Sequence, residues 1–460
     1  MQNMRAGGRD MTERKKTGTR MTEGKITPLI IRFAIPLLLG NIFQQFYNMV
    51  DSWVVGNFVS NEAFSAVGTV GPIINMLIGF FMGLSSGAGV VISQYYGASK
   101  EDQVSDTVHT AIMMTIALSV VITALGLVLM PVMLGIMNTP ESVLPEARSY
   151  LTIYFSGVAG LLFYNIGASI LQATGDSKRP FYFLATAAVT NVVLDLLFVI
   201  VFHMGVEGVA YATVIAQLAS AALVMFTLFR TDSCVKIIPS KLKMHWDVLA
   251  RIIRVGIPAA LQMAIISFSN IFVQSYINHF GADCMSGWTA YSKIDALMLL
   301  PMQSIGLATT TFVGQNIGVG KVDRVKEGVR TGLMLSVAAT VIPMIPVMLF
   351  APQLVAFFNS KKEVVDYGVL MIRWISPFYA LTCSSNIQSA ALRGSGDTKA
   401  PMLMMIFSFV IFRQIYLFIV ANFISNTVIP IFMGYPAGWL VCTILTAVYY
   451  HRADLGRARV

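Results

Sequence analysis

The chain has 460 residues, 56% of them hydrophobic and only 12% charged, with 32 Lys and Arg against 23 Asp and Glu and a mean hydropathy of +0.70. A soluble chain of this length would carry about a quarter charged residues, roughly twice as many, so an ordinary soluble globular protein and a disordered chain are both excluded. With charge so sparse, the net charge of +9 does not describe a nucleic-acid groove, and the composition is that of an all-α polytopic membrane protein.

Residues 1–25 are polar and basic without the apolar stretch of a cleaved leader, and they are expected to be a cytoplasmic tail with no function. Each crossing of ~30 Å of hydrocarbon takes about 20 apolar residues in a helix. Apolar runs divided by short polar breaks predict spans at 28–56, 63–92, 107–130, 148–171, 181–203 and 206–229, then at 249–278, 285–313, 328–350, 367–392, 401–422 and 428–450. The runs are too long for barrel strands, and a backbone in lipid must satisfy its own hydrogen bonds, so all twelve are predicted to be helices. Cys234, Cys284, Cys383 and Cys442 share no metal or redox spacing and read as small core residues.

Lys and Arg alternate between loops. Both tails and the loops after the even-numbered spans carry 26, while Arg148, Lys361, Lys362 and Arg373 are the only four on the other side. The positive-inside bias places both termini in the cytoplasm, which an even number of spans also requires.

The chain repeats itself. "IRFAIP" at 31–36 returns as "IRVGIP" at 253–258, "LQATGDSKRP" at 171–180 returns as "LRGSGDTKAP" at 392–401, and Gln94 and Gly97 of "SQYYG" return as Gln315 and Gly318 of "GQNIG". The offsets are 222, 221 and 221, so two six-span units share one orientation. Such a parallel repeat, with a central site between lobes, is a transporter architecture. The predicted organisation is a tail over 1–25, a first lobe over 26–229, a basic cytoplasmic linker over 230–248, a second lobe over 249–450 and a tail over 451–460.

Polar residues inside spans mark the candidate site. Asn41, Gln44, Asn48 and Asp51 of span one fall on one helical face. Amides there either join helices or line water. Asp51 is costly in lipid unless it is neutral, paired or wetted, and so points to function. Asn191 and Asp195 stand at i and i+4 in span five. At 1.5 Å per residue Asp51, Asp195 and Thr213 lie about 8, 12 and 10 Å below the outer surface, one shared depth. Two carboxylates in one low-dielectric pocket cannot both ionise cheaply, so the set is expected to hold a proton. The same oxygens could instead cage Na⁺, or Asp195 could pair with a buried donor.

The second lobe has Val273 where the first has Asp51 and Tyr416 where it has Asp195. It offers instead Asp295 and Arg413, about 15 and 14 Å below the outer surface, and an ion pair between them is expected, since each would otherwise be a lone buried charge. Gln44, Asn48, Asn270, Gln274, Asp295 and Arg413 are the candidate cavity residues. Pro36 and its repeat mate Pro258 permit bends in the first helix of each lobe, and the 27 methionines suit walls that refit to varied apolar ligands. Enzyme motifs are missing: "GVGK" ending at Lys321 lacks the first glycine and the Ser or Thr of a phosphate loop.

"IPLLLGN" opening span one, "NMVDSWVVG" around Asp51, "LQATGDSKRP", "NVVLDLLF" in span five and "LRGSGDTKAP", in this order from about Thr22 to the C-terminal part, resemble the multidrug and toxic compound extrusion (MATE) family. The stretch from Lys293 to Gly318 resembles bacterial members of the DinF and MepA type. The resemblance implies a V-shaped pair of six-helix bundles in the bacterial inner membrane, not an enzyme. It would export organic cations or amphipathic drugs in exchange for H⁺ or Na⁺ by alternating access, as a monomer needing no cofactor and no nucleic acid, with lipids around it. It also implies coupling roles for Asp51, Asn191, Asp195 and Thr213, the possible Na⁺ ligands, and a hinge at Pro36. The sequence departs from the NorM-like branch, whose span seven carries a Glu; here that helix offers Gln262, Ser267, Asn270 and Gln274, and a second-lobe Na⁺ site of that kind is not expected. A flippase of lipid-linked saccharide would share the two-lobe scaffold but calls for a more basic cavity, and the loop "SQYYGASKEDQVSD" lacks the arginine-rich signature of major facilitators.

Overall fold

A computed structural model describes residues 20–59, 61–136, 139–424 and 427–455, so residues 1–19 and 456–460 of the tails lie outside the described residues. Among these residues only helices and turns occur. The first six spans are α1 (Ile26–Phe58), α2 (Asn61–Gly97), α3 (Glu101–Ile136), α4 with α5 (Leu144–Ser156 and Val158–Ala173), α6 (Lys178–Leu196) and α7 (Gly205–Arg230). The second six are α8 (Trp246–Asn278), α9 (Ala282–Val319), α10 (Val322–Leu349), α12 with α13 (Lys362–Ile375 and Tyr379–Gly394), α14 with α15 (Lys399–Met405 and Arg413–Ile419) and α16 with α17 (Val428–Phe432 and Gly434–Arg452). A short helix, α11 (Ala351–Phe358), precedes α12.

Several spans are less regular than the hydropathy predicts. Span four bends by 47° between α4 and α5, at Gly157, which crosses the side chain of Val214. Among the described residues ten helices are long and apolar enough to cross a membrane, eleven with the bent pair α4 and α5; the predicted span ten, α12 with α13, is not one of them, being broken by a 3-10 turn at Ser376–Phe378, where Pro377 cannot continue the hydrogen-bond ladder. Spans five and eleven, related by the repeat, both widen into π-helix, at Leu197–Val201 two residues after Asp195, and at Ile406–Phe412 directly before Arg413 and again at Val420–Ile424. Such widening is often found at functional sites. By contrast Pro36 lies within α1 without interrupting it.

The two copies of the Gly-Asp motif do the same structural work. Gly175 and Gly396 adopt φ of 89° and 88°, a left-handed conformation that glycine enters without a Cβ penalty and that ends α5 and α13. The next residues, Asp176 and Asp397, turn their Oδ1 atoms to backbone N–H groups of Arg179 (3.1 Å) and Ala400 (3.3 Å), at the start of the following helix.

Each lobe has a core toward the end away from the termini and another toward the side bearing the termini. The lobes exchange the start of their first helix across that terminal side. Ile30, Phe33 and Leu37 of α1 pack with Ile305, Ala308 and Phe312 of α9, while Val248 and Ile252 at the start of α8 pack with Ala88 and Val91 of α2. Small residues make the seam between them. A Cβ on Gly87 would stand 2.5 Å from the Cα of Gly256, so two backbones touch there, as helix pairs in lipid do when packing rather than hydrophobicity joins them. Met21 and Leu455 share one cluster, which puts both described ends of the chain on one side of the membrane.

Residues 20–25 are not the idle tail expected of them. Met21 is 1% exposed; its N–H donates to Gln315 Oε1 (2.9 Å), and its carbonyl accepts from Asn316 Nδ2 (3.2 Å) and Arg324 Nη2 (3.3 Å).

Candidate functional site

α1 and α6 bring the two first-lobe aspartates together. Asp51, two turns from the end of α1, and Asp195, in the last turn of α6, are 9% and 0% exposed. Their carboxyl groups are close enough for a proton on one to be shared with the other. Among the described residues neither Asp195 oxygen nor Asp51 Oδ1 has another hydrogen-bond partner, and both amide atoms of Asn191 are equally buried and unpartnered. Two facing acceptors with no donor between them form an arrangement that burial makes unfavourable until a proton or a cation enters.

Thr213 of α7 joins the set through Tyr150, which lies beside it and beside both aspartates, and its hydroxyl donates to the Val209 carbonyl at 3.0 Å. The alternative that Asp195 pairs with a buried basic donor finds no such partner among the described residues.

Four further side chains belong to this pocket, and the sequence reading missed them. Tyr150 lies beside Thr213 and both aspartates, and Tyr47 lies beside Asp51 and Gln44. Tyr154 and Gln217 extend it one turn inward, their buried side chains facing each other. A signal existed: Gln217 stands four residues after Thr213, and Tyr150 and Tyr154 are one turn apart on span four, their rings stacked at 6.4 Å. Tyrosine and glutamine in apolar runs are too common to stand out without the fold.

The rest of the span-one stripe divides. Asn41 Nδ2 reaches Ser304 Oγ of the other lobe at 3.4 Å and is helix-joining. Gln44 is half-buried, and Asn48 is exposed.

In the second lobe the expected Asp295–Arg413 ion pair does not form. Asp295 accepts hydrogen bonds from the hydroxyls of Tyr291 (3.1 Å) and Tyr379. Arg413, 2% exposed, donates to Ser269 Oγ and to Asn270 Oδ1 (3.0 Å), with its guanidinium 4.8 Å from the ring centre of Tyr435 and 5.4 Å from that of Phe409. Neutral acceptors and aromatic faces thus take the place of a carboxylate. Asp295 is half-buried at the edge of an aromatic cluster in which Trp288, Tyr291, Tyr379, Tyr435 and Trp439 meet at 5.2–6.2 Å. Gln274 is engaged with Asn278 at the outer end of α8, at 2.8 Å. Gln262 is held by Arg393 at 3.2 Å, and the Ser267 side chain lies outside the described residues. Val273, the counterpart of Asp51, is a fully buried core residue.

The MatE family model matches the chain twice, over residues 36–197 and 258–435. Each match covers most of one lobe. The chain belongs to the MATE family. It is 30% identical over 443 residues to "Probable multidrug resistance protein YoeA" of Bacillus subtilis, covering 94% of this chain and 95% of that protein. Its fold is that of a solved MOP superfamily transporter from Pyrococcus furiosus, with a TM-score of 0.90 at 23% identity over 95% of this chain and 97% of that one. A multidrug resistance MATE family transporter solved in an outward-facing conformation matches with a TM-score of 0.89, also at 23% identity, over 95% and 97% of the two chains.

Proposed function

We propose that this MATE protein is a secondary active efflux antiporter of organic cations and amphipathic drugs, in which the Asp51–Asp195 pocket, with Asn191 and Thr213, binds the coupling cation. The observation that carries this reading is the pair of facing, donor-less carboxylates, buried in one lobe of a two-lobe membrane protein. A cation arriving from outside relieves that arrangement. A cationic drug held nearby competes with it electrostatically, so ion and drug weaken each other reciprocally and exchange follows. The oxygen-only donor set fits H⁺ or Na⁺, and the proton is favoured because two carboxyl groups within sharing distance satisfy each other with one proton and no further ligand. Pro36 supplies the flexible point through which span one responds. The termini lie in the cytoplasm by the charge bias of the loops, and the membrane is the bacterial inner membrane. The saccharide flippase reading gains nothing: the described cavity side offers one deeply buried guanidinium, already bonded, rather than a basic surface.

The test is export of a fluorescent organic cation from vesicles holding the purified protein, with ΔpH and ΔNa⁺ imposed separately. Transport driven by ΔpH alone is expected. Transport that survives collapse of both gradients removes the antiport reading.

In this scheme Asp295 contacts the cationic cargo from the second lobe, where its charge and the aromatic rings beside it suit a delocalised cation. Asp295→Asn is expected to raise the half-saturating drug concentration about tenfold, the worth of one charge-assisted contact of roughly 1.5 kcal/mol. Proton uptake in the absence of drug should not change. An unchanged drug dependence would return Asp295 to a structural role.

A further inference from the structure

The repeated Gln-x-x-Gly of "SQYYG" and "GQNIG" has no part in the pocket above, yet it sits where the lobes meet on the terminal side. Gln94 Nε2 of α2 donates to the carbonyl of Gly394 in the second lobe at 2.9 Å. Gln315 Nε2 of α9 donates to the carbonyl of Ala173 in the first lobe, also at 2.9 Å. Donors and acceptors are both related by the 221-residue offset, so one hydrogen bond is made twice, in opposite directions, across the pseudo-twofold axis. All four residues are at helix ends beside the Gly-Asp turns.

The glycines of the motif permit it. A Cβ on Gly97 would lie 2.0 Å from the Gln315 carbonyl oxygen, and one on Gly318 would lie 2.1 Å from that of Gln94. The ends of α2 and α9 therefore cross backbone to backbone at these two points. Gln94 and Gln315 are 6% and 0% exposed, so the amides work in a dry interface where an unmade bond is expensive. The arrangement is asymmetric in one respect: Gln315 also accepts the Met21 N–H, which ties the segment leading into α1 to the second lobe.

We propose that Gln94 and Gln315 are the paired gate residues that hold the terminal side shut, and that their bonds break and re-form once per transport cycle. The inference rests on the two lobes moving against each other, as the antiport reading requires. It explains why the motif is kept in both halves although the coupling acids exist in one only. Because Gln315 makes one more bond than Gln94, the gate is weighted toward the second lobe and toward the start of α1, the helix that carries Asp51 at its other end.

The test is the distance between spin labels at Gln103→Cys and Lys326→Cys, exposed positions on opposite lobes of the terminal side, in a Cys234→Ser background. It is measured in vesicles without ion or drug gradients, so that its outcome is independent of coupling at Asp51. Gln94→Met and Gln315→Met keep side-chain volume and lose the donor. Each lost bond is expected to shift the closed-to-open ratio about fivefold, so a longer-distance population should appear in Gln94→Met, grow in Gln315→Met and dominate in the double variant. Should the double variant not reach the membrane folded, Gly97→Ala carries the same test, since its methyl group collides with the Gln315 backbone and must part the helix ends. A distance distribution that stays at the wild-type one in the double variant, or in Gly97→Ala when that variant is the one tested, overturns the proposal.

Discussion

Asp51→Asn is expected to abolish gradient-driven efflux while raising thermal stability. The amide has the shape of the carboxylate but cannot exchange a proton, so the pocket loses its two charge states and drug binding loses its competitor. The same amide can donate to Asp195, whose two oxygens have, among the described residues, no partner other than the facing Asp51 carboxyl. Supplying a donor to a buried, unpartnered carboxylate should stabilise the fold by about 1–3 kcal/mol. Loss of activity through misfolding would move stability the other way, and the two measurements together separate the cases. Asp195→Asn should behave alike, and the double variant should lose no more activity than either single one, because residues acting as a unit are not additive. Vesicle efflux and a melting curve on the same preparations decide it. Efflux retained in Asp51→Asn would refute the coupling role.

Arg413→Met should produce a similar dissociation of stability from function in the second lobe. The guanidinium is buried inside the membrane, and among the described residues no carboxylate stands within ion-pair distance of it. Its hydrogen bonds to Ser269 and Asn270 offset part of the cost of removing it from water. Exchanging a buried charge for an apolar side chain of similar volume commonly stabilises by roughly 1–4 kcal/mol. Ser269 still donates to the Phe409 carbonyl, so no buried hydroxyl hydrogen is orphaned. If the group is kept for function, the contact through which it acts is its hydrogen bond to the exposed Asn270. The expected result is an equal or higher melting temperature with drug export reduced about tenfold, the loss from misplacing one polar contact. A lower melting temperature with unchanged export would make Arg413 structural.

Much of this could be read from the chain. Helix type followed from length and apolarity, since lipid leaves the backbone no other way to bond. The two-lobe design followed from offsets of 221 and 222 residues. The shared depth expected of Asp51, Asp195 and Thr213 followed from helical rise and span order, because a membrane sets every span to the same ruler. The Asp295–Arg413 pair failed for a corresponding reason: equal depth says nothing about azimuth. Asp295 turns to Tyr291 and Tyr379 and Arg413 to α8, and rotation about a helix axis is decided by neighbours that hydropathy does not name.

Composition, helix type and the duplicated plan are local or periodic properties, and the sequence by itself determined them. The tertiary structure alone decided which groups meet: the donor-less facing of Asp51 and Asp195, the tyrosines around them, the exchange of helix starts between lobes and the Gln94 and Gln315 bonds. Each depends on the packing of helices far apart in the chain, where glycine permits backbone contact and larger side chains set the rotation.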